Sequence, residues 1–206
     1  MLYWLLFETL FPHISPLRVV GYSTFRTAFA SLTALFLCVA LGPWLIRKLR
    51  EFEIGQHIRE EGPKSHHKKA GTPTMGGILI IVSVVVPTLL WANLRNQYVW
   101  MALFGLVAFG AIGFWDDYTK IRRSRNLGLT ARKKLALQIL VSMVIGFWLL
   151  LLHAAGHYST AMNVPFFKHL RPDLLIDRFL ENPLTYPLAF VFFYAFMAFV
   201  LVGASN

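Results

Sequence analysis

Long apolar stretches separated by short basic clusters dominate this chain. The stretches run approximately 22–46, 74–91, 98–115, 135–153 and 186–203. Eighteen helical residues reach about 27 Å, close to the thickness of a bilayer's hydrocarbon core. The pattern therefore predicts an all-α polytopic bundle of five transmembrane helices, with Pro87 kinking the second. No internal repeat at a fixed period and no low-complexity segment is present. The first eleven residues, MLYWLLFETLF, are apolar but too short to cross. They lack the basic start and small-residue cleavage site of a signal peptide. A short helix lying at the interface is expected there, with Tyr3 and Trp4 at headgroup depth.

The polar positions set the direction. The connection 47–73 holds seven Lys and Arg residues, and the connection 116–134 holds seven more. The opposite side has Arg18, Arg95, Lys168, Arg171 and Arg178. By the positive-inside rule the two basic loops are cytosolic and the N-terminus is periplasmic. Arg26, near the outer end of the first span, is placed to snorkel toward the headgroups. The long connection 154–185, with Pro165, Pro172 and Pro183, becomes an ordered periplasmic excursion. Five spans closing on LVGASN without a polar tail predict the first part of a longer protein, a single transmembrane domain over 1–206.

Composition narrows the class. Of 206 residues, 56% are hydrophobic and 15% charged, and the mean hydropathy is +0.55, too little polar surface for a soluble domain. The formal charge of +10 sits in loops. That fits anionic lipid or a phosphorylated ligand and gives no nucleic-acid stripe. Cys38 stands alone in an apolar stretch, so neither a disulfide framework nor thiol chemistry is implied.

Candidate chemistry gathers on the cytosolic side. GAIGFWDDYTK ends an outside-to-inside span on Asp116 and Asp117, where the helix dipole disfavours acids by about 0.3–1 kcal/mol each. A solvated helix end neutralised by Lys120, Arg122 and Arg123 is one explanation. A bound divalent cation, or a group that moves a proton, is the other. Neighbouring helical residues point about 100° apart, so without local unwinding the two carboxylates take separate roles. Magnesium suits so sparse a carboxylate supply, completed by waters and substrate phosphates. In KKAGTPTMGG, Thr72 or Thr74 can cap the second span, and Gly76 and Gly77 leave backbone N–H groups bare beside Lys68 and Lys69. Diphosphate binding and close helix packing through the glycines explain that stretch equally well. Arg132, Lys133 and Lys134 open the fourth span as positive-inside anchors. His66 and His67 lack the spaced partners of a zinc site. The Phe-rich fifth span is packing or lipid-facing surface that could also line a groove for an isoprenoid tail.

GPKSHHKKAGTPTMGGI, GFWDDYTK, GLTARKK and VPFFK together resemble the bacterial phospho-N-acetylmuramoyl-pentapeptide transferases. These belong to the polyprenyl-phosphate N-acetylhexosamine-1-phosphate transferase superfamily. The likeness runs from about residue 20 to the end. It implies an inner-membrane enzyme of ten helices, usually a homodimer, with a cytosolic active site and a Mg²⁺ requirement. Its reaction moves phospho-MurNAc-pentapeptide from UDP onto undecaprenyl phosphate, giving lipid I and UMP. By the resemblance, Asp116 and Asp117 match the family's paired aspartates, the latter as the base acting on the lipid phosphate. Lys69 and Thr74 match positions associated with the nucleotide-sugar, and Lys120 and Arg132 match basic positions near the diphosphate. VGASN corresponds to the lead-in of a further aspartate-bearing motif, so the chain matches the N-terminal half and is expected to be inactive alone. A GlcNAc-1-phosphate transferase and a non-enzymatic membrane fragment are the alternatives.

Overall fold

The computed structural model describes residues 1–53, 76–122, 128–162, 171–174 and 186–206. Five α-helices appear among them: α1 (Ser23–Glu53), α2 (Gly77–Trp91), α3 (Gln97–Arg122), α4 (Ala131–Ala154) and α5 (Tyr186–Ser205). There is no strand among the described residues. Four helices have segments long and apolar enough to cross a membrane: Ser23–Leu49, Gln97–Ile121, Ala131–Ala154 and Pro187–Ser205. α2 is a shorter apolar helix, and the first two residues of the apolar stretch it belongs to lie outside the described residues. The protein is thus an all-α polytopic membrane bundle. Its many exposed large apolar side chains are what a lipid-facing surface requires, since lipid tails are as apolar as leucine.

Two units divide the chain, Met1–Thr130 and Ala131–Asn206. In the first, residues Trp4–Leu10 wind as a π-helix, with the rings of Tyr3, Phe7 and Phe11 stacked at 5.5 and 5.4 Å. A 3₁₀ turn, Ser15–Gly21, follows, with proline at its first turn where no N–H is needed. Gly21 lets the Phe7 ring lie on this turn, because a Cβ there would come 2.5 Å from the ring. α1 and α2 are tied by polar groups inside the apolar layer. The Cys38 thiol donates to the Ser83 hydroxyl at 3.1 Å, and Trp91 Nε1–H donates to the Thr33 hydroxyl at 3.1 Å. Pro87 is buried within a continuous α2. α3 meets α2 where Gly110 receives the Ile81 side chain so closely that a Cβ would overlap Ile81 Cδ1.

In the second unit, α4 packs on α5 through a small-against-large fit. Gly146 lies under the Tyr194 and Phe193 rings, and a Cβ there would stand 3.0 Å from Tyr194. Ile145, Leu149, Leu152, Ala189 and Phe193 are buried. Gln138, buried on α4, donates to the Ser205 hydroxyl at 3.0 Å and exchanges bonds with the Asn206 amide. α4 ends in a Schellman motif. Gly156 takes a left-handed φ of 73°, His157 N–H reaches Leu152 C=O, and Gly156 N–H reaches His153 C=O. Beyond it, Ala161 and Asp173 form an antiparallel bridge, and the Thr160 hydroxyl donates to the Asp173 carboxylate.

Candidate functional site

The acid pair does not sit at a helix terminus. α3 continues past Trp115 to Arg122, so Asp116 and Asp117 occupy its penultimate turns and the helix is not unwound between them. The dipole penalty, confined to the last turn, is correspondingly weaker at these positions. Helical geometry solves the problem of their divergent directions with one cation. Lys120 is i+4 from Asp116 and i+3 from Asp117, the two spacings that bring side chains together on a helix surface. Its Nζ lies 2.6 Å from Asp116 Oδ2 and 2.9 Å from Asp117 Oδ1. Two carboxylates around one ammonium keep the ammonium charged and leave the trio formally negative by one.

The carboxylates differ in their other contacts. Asp116 Oδ1 accepts the Leu129 backbone N–H at 2.7 Å, which draws the chain after α3 back onto the helix. Gly128 makes this approach possible. A Cβ at that position would overlap Asp116 Oδ1 and stand 2.8 Å from both Asp116 Cγ and Lys120 Cε. Asp116 is 17% exposed and Asp117 33%. Among the described residues, Asp117 Oδ2 has no hydrogen-bond partner, so this oxygen is the one that can meet a ligand. Gly128 and Leu129 were not singled out from sequence. The available signal was a glycine in a short connection directly before a helix, which marks a turn or a close backbone approach.

The α2 N-terminus shares this end of the first unit. Ile81 meets Gly110; Gly77 lies one helical turn before Ile81, and Asp117 about 10 Å beyond Gly110 along an antiparallel neighbour. Gly76 precedes α2 without any side-chain cap bond. A Cβ at Gly76 or Gly77 would meet nothing within 4 Å, so helix packing among the described residues does not account for these glycines. Among the described residues no side chain stands over the first-turn N–H groups at these glycines, which are of the kind that bind an anion.

Lys69 and Thr74, with His66 and His67, lie outside the described residues, as do Arg123 and the Arg122 side chain. Arg132 stands in the first turn of α4 in the second unit, as do Lys133 and Lys134. The structure thus gathers Asp116, Asp117 and Lys120, and adds Gly128 and Leu129. Among the described residues no three His, Cys, Asp or Glu side chains could hold a metal ion together. One available carboxylate oxygen beside a lysine-held partner fits a cation that keeps most of its waters, as magnesium does, and not an all-protein cage.

These features define a class: a multi-pass helical membrane protein whose first unit carries a charged acid–lysine cluster and, at the same end, a glycine-bearing helix N-terminus. A family model, "Phospho-N-acetylmuramoyl-pentapeptide-transferase signature 1", matches residues 69–81, the stretch leading into α2. A phospho-N-acetylmuramoyl-pentapeptide-transferase of Solibacter usitatus is 59% identical over 206 residues, covering 100% of this chain and 54% of the relative. The like-named protein of Koribacter versatilis is 56% identical over 208 residues, covering 100% of this chain and 55% of that one. That of Desulfatibacillum aliphaticivorans is 48% identical over 206 residues, 100% of this chain and 52% of its own length. The chain belongs to the phospho-N-acetylmuramoyl-pentapeptide-transferase family, and it spans about half the length of the curated relatives it matches.

Proposed function

We propose that this chain forms the N-terminal half of a Mg²⁺-dependent enzyme that transfers phospho-MurNAc-pentapeptide from UDP to undecaprenyl phosphate, giving lipid I and UMP. The observation that carries the reading is the match of this whole chain to about half the length of relatives bearing that name, with their signature leading into α2. It favours this substrate over a GlcNAc-1-phosphate donor. The enzyme works in the inner membrane with this cluster on the cytosolic face, where the basic loops lie and the nucleotide donor is made, and it acts as a homodimer.

In this reading Asp117 takes the proton from the acceptor phosphate. The freed phosphate oxygen attacks the sugar-bearing phosphorus in line, a new P–O bond forms, and the bond to the bridging oxygen breaks with UMP as leaving group. The partnerless Oδ2 of Asp117 supports its assignment, while Asp116 holds Lys120 and the Leu129 backbone in place. Lys120 stands close enough to Asp117 to steady developing negative charge. The family resemblance supports Lys69 and Thr74 as nucleotide-sugar-binding residues and Arg132 as a diphosphate-binding residue. Asp116 and Asp117 would contribute to holding Mg²⁺, with the main metal aspartate expected in the other half of the enzyme, and the bound cation would supply charge neutralisation of the diphosphate. The test is Asp117→Asn in the full-length enzyme, with UMP release as the readout. Loss of turnover in a variant that still binds nucleotide-sugar is expected; near-normal rates would remove Asp117 from the role of base.

A further inference from the structure

At the opposite end of the first unit from the acid cluster, the early turns of α1, the last turns of α2 and the start of α3 border a cavity of about 440 Å³. Its polar lining holds one cation, Arg26, with neutral hydroxyls and amides and no carboxylate. Arg26 lines it with its guanidinium 4.3 Å from the Tyr3 ring centroid, and Nε is shielded from solvent without any hydrogen-bond acceptor. No carboxylate among the described residues pairs with Arg26, and the nearby Glu8 is taken by Arg95 at 2.7 Å. Asn93 and Asn96 also line the cavity. Their side-chain carbonyls are already used by the backbone N–H groups of Arg95 and Tyr98, which leaves both Nδ2 amides as donors. The Thr27 and Thr88 hydroxyls donate to their own helices and add no competing charge.

A shielded guanidinium edge without an acceptor is costly, and an anionic oxygen pair is the partner its fork geometry matches best. Arg26 itself lines the cavity, so its guanidinium is within reach of a ligand there. The N-terminal end of α1 adds a further preference for negative charge. Below this rim Ala30, Ala34 and Val84 give the wall apolar surface beside the small hydroxyls of Ser31 and Ser83, and Ala34 lies about 12 Å deeper along α1 than Arg26. A free phosphate gains nothing from that wall, whereas a lipid does. We infer that this cavity is a binding site for an anionic phospholipid, its phosphate between Arg26 and the Asn93 and Asn96 amides and its first acyl carbons along Ala30, Ala34 and Val84. The site lies in the leaflet opposite the acid cluster and does not depend on the reaction proposed above.

Trp91 lines the cavity and serves as reporter. The purified full chain in detergent is titrated with brominated phosphatidylglycerol or brominated phosphatidylcholine, following tryptophan quenching, with Trp91→Phe identifying the share due to that residue. Quenching of Trp91 at severalfold lower mole fraction of the anionic lipid is expected. Arg26→Gln should erase the difference, and Arg26→Lys should keep part of it. Equal quenching by the two lipids in the unsubstituted protein, a result that needs no variant to fold, overturns the inference. So does an unchanged preference in a folded Arg26→Gln, or displacement of the anionic lipid by excess inorganic phosphate, which would identify a phosphate site without a lipid component.

Discussion

Gly128→Ala isolates the contact that joins the acid pair to the following chain. The perturbation is steric, because the missing Cβ is what lets Gly128 lie against Asp116 and Lys120. The added methyl would overlap Asp116 Oδ1 and stand 2.8 Å from Asp116 Cγ and from Lys120 Cε, so the carboxylate must move. Moving it breaks the 2.7 Å bond from Leu129 N–H to Asp116. A hydrogen bond to a charged group contributes about 1.5–3 kcal/mol. The Asp116–Lys120 pair, with Lys120 37% exposed, adds at most about 1 kcal/mol after solvent screening. If the displaced Asp116 releases Lys120 from its position beside Asp117, the same 1.5–3 kcal/mol appears in the barrier. At 1.36 kcal/mol per decade, turnover falls roughly 10- to 150-fold. The assay is UMP release by the full-length enzyme, with far-UV circular dichroism to show that the helices persist. Gly113→Ala on the same helix, where a Cβ meets nothing within 4 Å, is the control expected to keep near-normal turnover. Turnover within twofold of normal in Gly128→Ala would refute the view that the Asp116–Leu129 contact positions the cluster.

Three other substitutions test separate parts of the architecture. Gly110→Ala puts a methyl onto Ile81 and should destabilise the α2–α3 contact by about 1–3 kcal/mol, seen as a lower midpoint in thermal unfolding. Adding Ile81→Val removes the clashing Cδ1 and should restore most of the loss; no rescue would locate the fault elsewhere. Gln138→Leu removes the bonds to Ser205 and Asn206 and should cost about 0.6–1.7 kcal/mol in the same measurement, the range found for polar contacts between membrane helices. Lys69→Ala should raise KM for the nucleotide-sugar with little change in kcat, and a fall in kcat alone would argue against a binding role.

The helical, membrane-embedded class is legible in the linear chain because hydropathy over a helix-length window is a local property and the bilayer sets the length it must reach. The Asp116–Asp117–Lys120 trio was almost legible as well, since i,i+3 and i,i+4 neighbours meet on any helix. What hydropathy misplaced was the end of α3. The apolar run stops at Trp115, but the backbone ladder carries on to Arg122, with the last turns supported by the i,i+4 and i,i+3 pairs of Lys120 with Asp116 and Asp117.

Sequence by itself therefore determined the class of protein, the helix that bears the acids and the set of basic neighbours, Lys120, Arg122 and Arg123, from which Lys120 emerged as the one spanning both. Tertiary structure alone decided that Gly128 and Leu129 return to Asp116, that Gly76 and Gly77 have no packing partner among the described residues, and that Arg26 faces donors without an acid. Those facts depend on where chain segments separated by a dozen or more residues come to rest, and no periodicity along the chain encodes that. A glycine's missing Cβ acquires meaning only when the atom that would collide with it is in place.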